Sequence, residues 1–173
     1  RSIGISNETA WGMASYLHES NQRSLPRIVS IQNPYNLLNR IFEINLSEFA
    51  QRENIGLLAY SPMAFGVLSG KYLNGAKPEG TRLTRFDSYK RYAGEIGIKM
   101  TEKYVHLAKE YNLLPSQMAL AFVNTRPFLT STIIGATSEA QLESNIASID
   151  VELPDELIDK INSLHFSQPN PCP

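Results

Sequence analysis

The residues that suggest ligand chemistry first are basic and interspersed with glycine. Between Gly66 and Tyr92 stand Lys71, Lys77, Arg82, Arg85, Lys90 and Arg91 against only Glu79 and Asp87, in a chain whose overall net charge is −1. Gly66, Gly70, Gly75 and Gly80 would let the backbone approach an anion closely, and flanking cations would neutralise it; the plainer alternative is a solvated loop with incidental charges. The nearest phosphate-loop pattern, G-V-L-S-G-K-Y at 66–72, has one residue too few between its glycines and no Ser or Thr after Lys71, so it is not a P-loop. Elsewhere, polar residues directly follow apolar runs: Ser6-Asn7, Gln32-Asn33, Tyr60-Ser61 and Gly135-Ala136-Thr137. Taken singly these read as a helix cap, turn chemistry or a core aromatic. Their recurrence at one relative place is what carries weight. The single cysteine, Cys172, excludes a disulfide framework and a Cys-based metal site within the chain.

Such residues need elements to position them. Residues 1–6 read as a strand, followed by a helix over 8–20 with Asn7 as N-cap and Glu8 in the first turn. Further strands are predicted at 28–32, 55–60 and 130–135, the 55–60 run being nearly continuous in apolar character, as when both faces are buried. Phe42, Leu46, Phe49 and Ala50 share one helical face, as do Met100, Tyr104, Leu107, Ala108 and Tyr111. Pro115 opens another helix. Ser138 and Gln141 form a capping box ahead of Leu142, Ile146 and Ile149, and Leu157, Ile158, Ile161 and Leu164 mark a last helix. His18, His106 and His165 all fall on helical stretches, at surface or helix-end positions. Residues 168–173 read as a loose tail.

Strands separated by helices imply a parallel sheet with right-handed crossovers. No G-x-G-x-x-G follows a strand, which argues against a Rossmann sheet, whereas polar residues gathered after strand ends suit a barrel, whose sites lie there. The fold class is therefore α/β: half of a (β/α)8 TIM barrel over 1–167, with four parallel strands and surrounding helices. Two bare edges and an apolar interior face are expected, and with them aggregation or pairing with another copy. At 42% apolar and 19% charged residues the chain suits a packed core. Its charge excludes an overall basic field for nucleic acid, and no apolar run reaches the length of a spanning helix. A soluble, cytoplasmic protein is expected.

Four ordered motifs then bring a family into view: I-G-I-S-N (3–7), I-Q-N-P-Y-N-L-L-N-R (31–40), L-A-Y-S-P-M with G-K-Y (58–63, 70–72), and I-I-G-A-T with Q-L-x-x-N (133–145). Together they resemble the C-terminal half of an aldo-keto reductase, nearest the bacterial Tas-like branch and akin to potassium-channel β-subunits. The resemblance implies an NADP-dependent oxidoreductase reducing aldehydes or ketones by hydride transfer. On matching positions, Ser6, Asn7 and Gln32 would hydrogen-bond the nicotinamide carboxamide, and Tyr60 would stack on the ring. Ser61, Pro62, Met63, Leu68 and Gly70 would line the pyrophosphate, with Lys71 and Arg82 adding positive charge. Gly135, Thr137, Gln141 and Asn145 would hold the adenosine end. Many family members carry a cation where Gln141 stands, so the preference for NADP falls to Arg82 and Arg85. Arg40 reads as a structural ion-pair partner.

The family's proton-donating Tyr and the Asp, Lys and His that tune it belong to the half preceding this segment, so no catalytic residue is assigned here. The chain alone is expected to lack reductase activity. Its expected partners are a small carbonyl substrate and the missing N-terminal half of the barrel, or failing that a second copy. A non-catalytic NADP-binding regulatory module, as the channel-subunit kinship permits, is the alternative.

Overall fold

The computed structural model describes residues 2–86 and 90–173. Four strands, β1 (Ile3–Ser6), β2 (Ile28–Pro34), β3 (Gly56–Tyr60) and β4 (Leu129–Thr132), form one parallel sheet in the order β1-β2-β3-β4. The helices are α1 (Ala10–Arg23), α2 (Leu46–Arg52), the short α3 (Arg82–Arg85), α4 (Glu95–Glu110), α5 (Pro115–Asn124), α6 (Glu139–Ala147) and α7 (Asp155–Ser167). This is the α/β half-barrel the sequence predicts, with the outer edges of β1 and β4 unpaired among the described residues.

Register explains which face is covered. Ile5, Ile31, Leu57 and Leu129 are paired in one row across the sheet, and Ile31 and Leu57 are completely buried. Side chains alternate between faces along a strand, so this row packs under the helices with Met13 and Leu17 of α1, Phe42, and Met118 and Phe122 of α5. Residues 118–123 of α5 are all buried, as expected of a helix apolar all round. Fully burying one such Leu or Phe contributes about 1.5–3 kcal/mol.

The opposite face corrects an expectation. Its rows are Gly4, Ser30 and Gly56, then Ser6, Gln32, Leu58 and Ser131. They are small or polar except for Leu58, so the open face is not apolar. A β-carbon at Gly56 would overlap the Thr130 hydroxyl, which is why that row stays small. Exposed apolar side chains instead lie elsewhere: Ile3 in β1, Trp11 and Tyr16 on α1, Ile133 just after β4, and Ile146 and Ile149 beside β4.

Element boundaries also shift. Asn7 does not cap α1; its N–H is shared between the Gln32 carbonyl and Asn33 Oδ1, both at 3.0 Å. The cap is Thr9, whose hydroxyl accepts the Gly12 N–H at 3.1 Å. β4 ends at Thr132, three residues short of the predicted end, because only the Ile133 N–H still reaches β3, at the Ala59 carbonyl (2.8 Å). The basic stretch folds into 3-10 turns at Ala64–Ser69 and Leu73–Gly75 and into α3; Asp87 lies outside the described residues.

The tail is not loose. The Cys172 N–H donates to the Leu38 carbonyl (3.1 Å), Asn170 Oδ1 accepts the Arg40 N–H (2.7 Å), and the buried Cys172 side chain occupies space that a β-carbon on Gly97 would need. Arg40 is the structural ion-pair partner its sequence context suggests, buried and paired twice to Glu43 at 2.7 and 2.8 Å. His18 and His106 are exposed, and His165 lies buried in the last turn of α7.

Candidate cofactor-binding site

The C-terminal ends of the strands open on one cleft of about 910 Å3, toward the upper end of the usual range for ligand sites. From β1 comes Asn7, held at φ 56° by its backbone bonds to β2; Asn tolerates this left-handed conformation better than most residues. Its side chain is fixed at both ends. Oδ1 accepts the Tyr60 hydroxyl (2.9 Å), and Nδ2 donates to Ser6 Oγ (3.2 Å). Ser6 Oγ in turn donates to the Gln32 carbonyl at 3.1 Å. Ser6 therefore orients Asn7 from beside the cleft and does not border it.

Gln32 differs, because its half-buried side-chain amide has no hydrogen bond to the described residues. One donor group and one acceptor remain there for a ligand.

Beyond β3, the wall at 61–66 departs from ordinary backbone. Ser61, Ala64 and Phe65 adopt φ of 53°, 50° and 58° without being glycine. Such conformations cost energy and concentrate at ligand sites. The Ala64 N–H donates to the Ser61 carbonyl and the Gly66 N–H to the Met63 carbonyl, both at 2.8 Å. Gly66, at φ 88°, leaves room for Lys71, whose Nζ would come within 3.0 Å of a β-carbon there. Pro62 and Met63 border the cleft as well. Leu68 and Gly70 do not: Leu68 is in the core, and Gly70 ends the 3-10 turn at φ 82°.

At the far end, Gln141 Oε1 accepts both the N–H and the hydroxyl of Thr137, each at 3.1 Å, while Ser138 Oγ accepts the Gln141 N–H at 3.3 Å. The predicted capping box is thus displaced by one residue on its glutamine side. The Gln141 Nε2 donor is left for a ligand, and Gly135 and Thr137 border the cleft beside it. Asn145 is nearly buried outside the cleft and steadies the loop through Nδ2 to the Gly135 carbonyl (3.3 Å).

Lys71 and Arg82 bring positive charge to the cleft, and Arg82 lies over the Phe65 ring at 5.5 Å. Lys77, Arg85, Lys90 and Arg91 do not border it. Sequence reasoning missed Phe65, Glu79, Thr81, Ile133 and Ile134 as lining residues. Phe65 carries no signal at the level of pattern, since its place depends on a left-handed turn. Ile134 was hidden by its apparent membership in a longer fourth strand.

Comparison with known proteins identifies the family. The Aldo/keto reductase family model matches residues 1–165. Protein tas of Escherichia coli (strain K12) is 51% identical over the whole chain, which covers 50% of that protein. An aldo-keto reductase of Babesia bovis is 38% identical over 99% of the chain and 63% of its own length. A probable voltage-gated potassium channel subunit beta of Arabidopsis thaliana is 32% identical over 92% of the chain and 49% of its own length. The chain thus spans about half the length of tas. With its motifs, parallel half-barrel and strand-end cleft, it belongs to the aldo/keto reductase family.

Proposed function

We propose that this chain supplies the dinucleotide-binding half of an NADP-dependent carbonyl reductase acting on aldehydes or ketones. The observation that carries the reading is the convergence of Asn7, Gln32, Tyr60 and Thr137, from four strand ends, on one cleft with Lys71 and Arg82 beside it. The donor set fits the cofactor. A carboxamide needs both donor and acceptor partners, which the uncommitted Gln32 amide offers; a planar ring needs an aromatic face, which Tyr60 offers; phosphates need cations. When bound, the cofactor supplies the hydride. Tyr60 and Gln32 fix the orientation of its ring, Lys71 and Arg82 hold its phosphates, and Gly135, Thr137 and Gln141 take its adenosine end. The proton donor comes from elsewhere, so the 173-residue chain alone is inactive.

Calorimetric titration with NADPH and NADH tests this. NADPH binds more tightly, and Arg82→Ala removes most of the difference; absence of binding by either nucleotide would refute the reading. Steady NADPH oxidation with an aldehyde would refute the predicted inactivity. Cytoplasmic location and assembly, either with the remaining half of the barrel or with a second copy across the open edges, follow from the same reading.

The second reading, a non-catalytic cofactor-binding regulatory module, is favoured by relatives named as potassium channel β-subunits. Gene sequence upstream of Arg1 separates the two. An Asp-x-x-x-Tyr followed by a Lys and a His at successive strand ends marks the enzyme.

A further inference from the structure

We infer that Asn36 is a positioning residue for the cleft, holding the Ser61 carbonyl and with it the left-handed turn that carries the wall beyond Tyr60. The inference rests on the reading of the cleft as a dinucleotide site. Asn36 lies in the loop after β2, is wholly buried and does not border the cleft. Its amide bridges two segments far apart in sequence. Nδ2 donates to the Ser61 carbonyl at 2.9 Å, and Oδ1 accepts the Leu38 N–H at 2.9 Å. Its backbone exchanges both hydrogen bonds with Asn39, each at 3.0 Å.

A buried amide engaged at both ends is more than filler, because an apolar side chain of similar size would leave the Leu38 N–H unsatisfied and take one of two donors from the Ser61 carbonyl. The Ser61 carbonyl is the hub of the wall, since it also accepts the Ala64 N–H. Ser61 itself sits at φ 53°, where a serine gains nothing intrinsically. An outside constraint is needed, and Asn36 provides one. Its base is rigid: the Cys172 N–H binds the Leu38 carbonyl, and Arg40 is held by Glu43, by Asn162 Oδ1 (3.0 Å) and by Asn170. The chain of contacts runs from the C-terminal segment through loop 36–40 to the turn after β3, so the cleft wall is set from behind.

The test is a double-substitution cycle read by NADPH titration, with folding followed separately by circular dichroism in urea. Asn36→Ala raises the NADPH Kd about tenfold. In a Ser61→Gly background the same change alters Kd by less than about threefold, because glycine takes the left-handed conformation unaided. If Asn36→Ala does not fold, Asn36→Ser takes its place; its short hydroxyl gives up the bridge to the Ser61 carbonyl without burying a charge. An unchanged Kd in a folded variant overturns the inference, as does an equal loss in both backgrounds. Failure of the unsubstituted chain to bind NADPH overturns the cofactor reading and this inference with it, whereas normal binding by the parent with unaltered Asn36 variants overturns this inference alone.

Discussion

Tyr60 commits its hydroxyl to Asn7, so its ring is what remains for a ligand. Removing the ring should cost more than removing the hydroxyl. Tyr60→Ala is expected to weaken NADPH binding about fivefold to tenfold, from about 1 kcal/mol of lost stacking plus lost burial, with Tyr60→Phe closer to the parent in calorimetric titration. A second residue-scale consequence concerns the buried cluster behind the cleft. Burial, with Arg40 nearby, holds the His165 imidazole below its usual range, and its Nδ1 has no hydrogen-bond partner among the described residues. The unfolded chain therefore takes up a proton near pH 6.5 that the folded chain refuses, and stability falls as pH drops below that point. Glu43 adds a later loss. Burial alone would raise its carboxyl, but hydrogen bonds from Arg40 and Tyr35 and the Arg40 charge outweigh that and keep it low. Its contribution is present above pH 4.5 and lost on further acidification. Urea midpoints measured against pH should show both steps, and His165→Gln should abolish the first alone.

At the scale of elements, two contacts fix where segments begin and dock. Thr9→Ala removes the observed cap of α1 and is expected to cost about 1 kcal/mol, while Asn7→Ala should disturb the cleft more than the helix; urea denaturation and NADPH titration respectively read the two. Gly97→Ala would place a β-carbon 2.6 Å from Cys172 Sγ and 2.7 Å from the Tyr92 carbonyl. Overpacking of this kind costs about 1–3 kcal/mol, visible as a lower urea midpoint. Element type and order were readable from sequence because apolar periodicity reports burial directly. The N-terminus of α1 was not, since a Ser-Asn pair is an equally good cap on paper. What decided it was a pair of hydrogen bonds to β2, a strand more than twenty residues away. The C-terminal segment was misread for a similar reason: its anchors, Leu38 and Arg40, are distant in sequence.

At the scale of the whole molecule, the cleft was legible where a residue type and a strand end coincided, as at Gln32, Tyr60 and Thr137. It was illegible where long-range packing decided which side of a loop faced inward, as at Leu68, Asn145 and Phe65. The same distinction holds for the sheet. Its edges follow from the strand count, but the small and polar open face depends on register. The proposed pairing of copies has a test on the apolar flank beside β4: Ile149→Lys, at a position 67% exposed, should lower the sedimentation coefficient if copies meet there and leave NADPH affinity unchanged. Trp11, the chain's sole tryptophan, is 80% exposed in the first turn of α1. Its emission in the native protein should already resemble that of the denatured chain, making it a poor reporter of unfolding. A blue shift in that emission would instead register the moment something comes to rest against that helix.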